Sequence, residues 1–138
     1  MSALLALVFA AAPHPFAATA AFVPARGKAP AAVQVFFTPS DPDVRVNEEP
    51  APRLELGPTQ AVLVDRQPPA PRKAFAFDPE TARYLDPALP VVFPVAVAPS
   101  APKGRHEVPV RVVYFYCSKR EGWCRKGAAD LEVTVKVP

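Results

Sequence analysis

The sequence predicts an all-β sandwich of about seven to nine strands, and three observations predict it. Twenty prolines stand against five glycines in 138 residues. Proline forfeits a backbone donor and clashes inside a helix, so long helices are excluded over most of the chain. Short segments rich in valine, phenylalanine and leucine recur roughly every ten residues, separated by proline and acidic turns. The last of them alternates strictly: Leu131, Val133, Val135 and Val137 fall on one face and Glu132, Thr134 and Lys136 on the other. That is the period of two a half-buried strand requires. Hydrophobic residues make up 50% of the chain, enough for a core, and the length allows one ordinary domain.

From the N-terminus, Ala3 to Ala12 form an uncharged apolar run with the length of a signal-peptide hydrophobic region, too short to span a bilayer. Ala18, Thr19 and Ala20 offer a small-x-small cleavage site, whereas a cut after Ala12 would leave Pro13 first. Residues 1–20 are therefore read as a signal peptide, although Met1 and Ser2 carry no cation. No stable membrane span is expected after its removal. Residues 21–32, mostly alanine and proline with Arg26 and Lys28, read as a tether, and the folded domain is expected over 33–138.

Within that domain the candidate strands are Val33 to Phe37, Val44 to Val46, Arg53 to Leu56, Ala61 to Asp65, Lys73 to Phe77, Val91 to Val97, Glu107 to Cys117 and Leu131 to Val137. The seventh is apolar on both sides, with Val108, Val110, Val112, Tyr114 and Tyr116 on one face and Val113, Phe115 and Cys117 on the other, as expected of a central strand. Pro94 and Pro109 each forfeit a ladder bond and belong at edges or bulges. Only Asp78 to Leu89 can hold a helical turn, capped by Asp78 with Pro79 in the first helical position.

The chain has two cysteines, Cys117 and Cys124, placed between the last two strand candidates. If those strands form an antiparallel hairpin, the sulfurs face each other, close enough for a disulfide or a working dithiol. Lys119, Arg120, Arg125 and Lys126 surround them against one Glu121, a balance that favours a thiolate and hence exchange chemistry. A purely structural bridge over this short loop would stabilise the fold by roughly 2.5 kcal/mol. In an oxidising compartment the pair is expected to close; in a cytosol it would stay reduced and invite a metal or catalytic role. Trp123 is a lid over the sulfurs, a surface aromatic for a partner, or a packing residue.

Other function classes find little support. The net charge of +3 and pI near 9.1 come from cations scattered from Arg26 to Lys136, not the concentrated face that nucleic acid needs. Zinc wants four ligands, and His106 lies at the far end of the Cys117 strand, about 35 Å away in extended chain. A single methionine argues against a two-thiolate copper site. His14, inside the signal region, and His106 form no hydrolase motif, and there is no glycine-rich phosphate loop. The acidic residues Asp41, Asp43, Glu48 and Glu49 flank Pro42 and Pro50 as a solvated turn. No cofactor is expected.

The stretch from Val108 to Cys117, the six-residue interval to Cys124 and the alternating strand to Val137 resemble the amino-terminal domain of the DsbD-type thiol:disulfide interchange proteins and the secreted domains similar to it. Arg45 to Leu56 and Val91 to Val97 look like further strands of that family. The resemblance implies an immunoglobulin-like β-sandwich in which Cys117 and Cys124 are the redox pair. It also implies a membrane-embedded electron donor and periplasmic thiol or disulfide client proteins, all acting in trans, and a periplasmic or otherwise secreted location. By position, Phe77 to Glu80 lies nearest to the family's acidic-aromatic cap loop. A secreted binding or scaffold sandwich with a structural disulfide is the alternative.

Overall fold

Among the described residues eight strands form in chain order: β1 (Phe16–Val23), β2 (Ala32–Pro39), β3 (Val44–Val46), β4 (Arg53–Leu56), β5 (Leu63–Asp65), β6 (Val91–Val97), β7 (Gly104–Ser118) and β8 (Trp123–Val137). The computed structural model describes residues 16–70 and 78–138. Every strand pairing is antiparallel. One sheet runs β1-β2-β6-β5; in the other, β7 pairs with β8 along one edge and with β3 and β4, end to end, along the opposite edge. The all-β sandwich expected from the sequence is present, and the described residues contain no helix.

The strand faces follow the alternation of the sequence. Val108, Val110, Val112, Tyr114 and Tyr116 of β7, with Val133 and Val135 of β8, are buried against Val33, Val35 and Phe37 of β2 and Phe93 and Val95 of β6. Each such side chain contributes roughly 1.5–3 kcal/mol through removal from water. At one end the core is aromatic. Phe16 meets Tyr116 edge-on at 5.4 Å between ring centroids and Tyr114 at 5.7 Å, while Phe37 lies 4.9 Å from Tyr114. These offset and edge-on arrangements are the ones that ring quadrupoles favour.

The fold starts earlier than the composition suggests. Residues 21–32, expected as a tether, are the end of β1, a turn closed by reciprocal backbone bonds between Arg26 and Ala29, and the first residue of β2. Phe16 pairs with Pro39 and Val23 with Ala32 in an unbroken ladder. Phe16 is buried, and Ala18, Ala20 and Phe22 pack on the core behind it, so the strand is held by both its ladder and its inner face. The Ala18 to Ala20 cleavage site lies inside this strand. The apolar run from Ala3 to Ala12 and the strand candidate from Lys73 to Phe77 lie outside the described residues.

Proline placement obeys the donor rule by two routes. Pro109 pairs with Glu132 of β8, and β4 reaches only as far as Val110, so its other side faces no strand. Pro94 lies in an interior strand, not at the expected edge or bulge. It falls where β6 exchanges partners: Val91 to Pro94 pair with β2, and Val95 to Val97 pair with β5. There the Pro94 carbonyl accepts the Arg66 N–H, but Pro94 has no N–H to return, so the β5 side of the ladder ends at this pair. The segment from Asp78 is a turn, with Thr81 and Ala82 N–H groups donating to the Asp78 carbonyl. It then runs extended beside β3, where Tyr84 bridges Asn47 and the Leu85 N–H donates to Val46.

Candidate functional site

Cys117 and Cys124 are joined in a disulfide, with their Cα atoms 4.0 Å apart. They are register partners in the β7–β8 hairpin, one pair before the turn-flanking Ser118 and Trp123. Backbone direction explains the close approach. The Asn47 N–H donates to the Phe115 carbonyl at 2.7 Å, so Phe115, and two residues on Cys117, point their main-chain groups toward β3. The Cys117–Cys124 pair is therefore a non-hydrogen-bonded pair of the β7–β8 ladder, the kind in which facing side chains lie closest. Beyond it, the Gly122 N–H donates to the Ser118 carbonyl and the Glu121 N–H to Ser118 Oγ. Gly122 closes the turn at a positive φ of 74°, which suits a residue without Cβ.

Strand parity places the disulfide on the outer face of its sheet. Tyr116, Tyr114 and Val112 point between the sheets; Cys117, Phe115 and Val113 point away. The two cysteines are not equally covered: Cys117 is 0% exposed, whereas Cys124 is half-buried. Beside the buried sulfur stands Asn47, itself 1% exposed, whose Oδ1 lies 3.2 Å from Cys117 Sγ. A bridged sulfur has no proton to donate, so in the oxidised protein this is a contact and not a hydrogen bond. Tyr84 borders the site from the next segment. Its hydroxyl donates to the Pro79 carbonyl at 2.9 Å, and burial, reinforced by the carboxylates of Glu80 and Asp78, holds the phenol above its usual range.

The cations named from the sequence scatter around the hairpin end. Lys119 and Arg120 are exposed turn residues, and Arg120 reaches Asp43 at 3.1 Å, Asp41 at 3.5 Å and Glu121 at 3.8 Å. Three carboxylates thus offset its charge. Arg125 pairs with Tyr116 and so lies on the opposite face from the sulfurs. Its guanidinium stacks 4.1 Å from the centre of the Trp123 ring, a cation–π contact. Lys126, two residues beyond Cys124, shares its face. Arg45, directly opposite Cys117 on β3, is a second cation on the sulfur face that the sequence did not single out. It comes from a strand remote in sequence, so only the register reveals it.

Trp123 and Tyr116 do not cover the sulfurs. Trp123 is a packing residue that meets Tyr116 edge-on at 5.7 Å, and its indole N–H donates to Glu121 at 2.7 Å. Of the cap-loop candidate, Asp78 to Glu80 form the turn described above, and Phe77 lies outside the described residues. His106 sits at the far end of β7 opposite Val135, with Nε2 2.7 Å from the Pro102 carbonyl. Among the described residues, no three metal-ligating side chains converge, and no helix is long and apolar enough to cross a membrane. A broad apolar hollow lined by Phe22, Val97 and Val137 together with Arg66 and Lys136 does not involve the cysteines.

Chemically, the arrangement is a disulfide between one fully buried and one partly exposed cysteine. An incoming thiolate would have to approach from the Cys124 side, with Cys117 as the leaving group. No known protein family matches the chain, and neither the curated proteins nor the solved structures contain a significant match to it.

Proposed function

We propose that this chain is an exported thiol–disulfide exchange module in which Cys124 is the sulfur exposed to partners and Cys117 the resolving sulfur. The observation that carries this is the unequal covering of the two cysteines on the outer face of the sheet. Opening the bond there leaves the inter-sheet core untouched. A staple placed for stability alone gains most when it closes a long loop, and this one closes a short local hairpin worth roughly 2.5 kcal/mol. The resemblance of residues 108–137 to the DsbD-type domains supports the same reading, and with it a membrane-embedded electron donor and secreted client proteins in trans. Two cysteines found paired are also in keeping with an oxidising compartment such as a periplasm.

The step balances without a cofactor. A partner thiolate attacks Cys124 Sγ, the Cys117–Cys124 bond breaks, and Cys117 leaves with the electron pair and takes a proton. A second thiolate of the partner then attacks the partner's sulfur in the mixed disulfide, closing the partner's own disulfide and expelling Cys124, which leaves with the electron pair and takes a proton, so that the module gains two electrons and two protons. Run backwards, the dithiol reduces a client.

The complete burial of Cys117 favours a second reading, a secreted binding or scaffold module whose disulfide is only structural. The reduction potential separates the two. Equilibration in glutathione or dithiothreitol buffers should give a value between roughly −180 and −270 mV for an exchange module. A value below about −300 mV, with unfolding on reduction, would establish the scaffold reading instead.

A further inference from the structure

Asn47 is a buried amide that the exchange step itself does not use. Its side-chain oxygen lies 3.2 Å from Cys117 Sγ, and both residues are closed to solvent. It is held there by the backbone: its N–H donates to Phe115, its neighbour Glu48 donates to the Arg83 carbonyl, and Tyr84 bridges it from the other side. The main chain of Asn47 is therefore fixed beside the sulfur, and its amide is enclosed there with Cys117. What changes is the sulfur. In the disulfide, Cys117 has no proton and the oxygen gains no hydrogen bond from it; in the dithiol, the Cys117 thiol can donate to that oxygen.

We infer that Asn47 is a positioning residue whose hydrogen bond to Cys117 exists only in the reduced protein, so that it biases the pair toward the dithiol and keeps Cys117 protonated after it leaves. A bond made in one redox state alone shifts the equilibrium by its own strength. Asn47 thus makes the disulfide more oxidising than the same hairpin would be without it. With glutathione the balanced reaction is disulfide plus two glutathione thiols giving dithiol plus glutathione disulfide. The first glutathione thiolate bonds to Cys124, the electron pair goes to Cys117, and the proton that Cys117 then acquires is the one presented to Asn47 Oδ1. The second glutathione attacks the glutathione sulfur of the mixed disulfide and releases Cys124.

This inference deepens the exchange reading but is tested apart from it. Wild type, Asn47→Leu and Asn47→Asp would be equilibrated in glutathione redox buffers and their free thiols counted. Loss of the acceptor in Asn47→Leu should move the equilibrium constant toward the disulfide by roughly two- to tenfold, which is about 10–30 mV for this two-electron couple. Asn47→Asp keeps an oxygen at the same place and should restore the wild-type constant or exceed it. A merely structural asparagine would weaken oxidised and reduced forms alike and leave the constant unmoved, and that result overturns the inference. So does a shift toward the dithiol in Asn47→Leu. If Asn47→Leu does not fold, Asn47→Ala supplies the same comparison. The shift is read between variants, so it stands or falls even if the wild-type potential proves too low for exchange.

Discussion

A Cβ added to Gly127 would stand 2.7 Å from Cζ of Tyr114, because the tyrosine ring lies across the bare backbone of its register partner in β8. Tyr114 is 0% exposed and is ringed by Phe16, Phe37 and Tyr116, so its ring has nowhere to retreat. Gly127→Ala should therefore destabilise the protein by about 1–3 kcal/mol, the usual cost of overpacking. The midpoint of denaturant unfolding checks this, and an unchanged midpoint would show that the ring can shift.

The same ring gives the fold an alkaline limit. Burial, with a smaller contribution from Tyr116, pushes the Tyr114 phenol up to about 12. An unfolded tyrosine ionises near pH 10, so above that value the unfolded chain releases a proton that the native protein keeps. The stabilisation is full below about pH 10 and falls as pH rises toward about 12, by roughly 1.4 kcal/mol per unit. Denaturant unfolding across this range should show the decline, and Tyr114→Phe should flatten it.

Phe16 joins the N-terminal strand to the tyrosine pair. Phe16→Ala should cost about 3–5 kcal/mol, and a chain beginning at Ala21 should be less stable still, since it also loses the first five residues of β1. If the protein is exported and processed, cleavage is expected upstream of Phe16. N-terminal sequencing of the secreted product tests this; a mature start at Ala21 with undiminished stability would contradict it.

Lys126 and Arg125 are adjacent in sequence and on opposite faces of β8. In the reduced protein Lys126→Ala should slow alkylation of Cys124 near neutral pH by roughly twofold, the effect of removing one nearby exposed positive charge in a largely aqueous medium. Arg125→Ala and Arg120→Ala should leave the rate nearly unchanged, the first because it lies behind the sheet, the second because Asp41, Asp43 and Glu121 already offset it. Equal effects from Arg125 and Lys126 would mean that face does not matter.

Much of this fold is written in local pattern. The alternation from Leu131 to Val137 and the two-faced apolar run before Cys117 identify β7 and the second half of β8, and they suggest a hairpin that would bring the cysteines face to face. The first half of β8, from Trp123 to Asp130, is not legible. It holds one glycine, two alanines and several charges, and it is a strand because β7 offers it a ladder. β1 was obscured for a related reason: its inner face is Phe16, Ala18, Ala20 and Phe22, and alanine-rich sequence reads as signal or tether until the aromatic rings it packs beside are known. The cysteine pair could be read as a site, but Asn47 and Arg45 could not. They reach the sulfurs through the β3–β7 register, between segments some seventy residues apart.

That same topology sets the order in which the molecule can assemble. β7 and β8 are separated by a four-residue turn and can zip together on the microsecond scale of hairpins. β3 and β4 must close loops of about fifty residues or more before they gain a pair, an entropic delay. The cysteines lie where the zipper starts. They meet while the chain is still largely open, before β3 has brought Asn47 to enclose Cys117, so thiol trapping during oxidative refolding should find the pair already closed while amide protons of β1 still exchange. The enclosed sulfur is enclosed only by the finished protein. A nascent chain presents both sulfurs to its oxidant on equal terms, and folding alone then assigns them different partners.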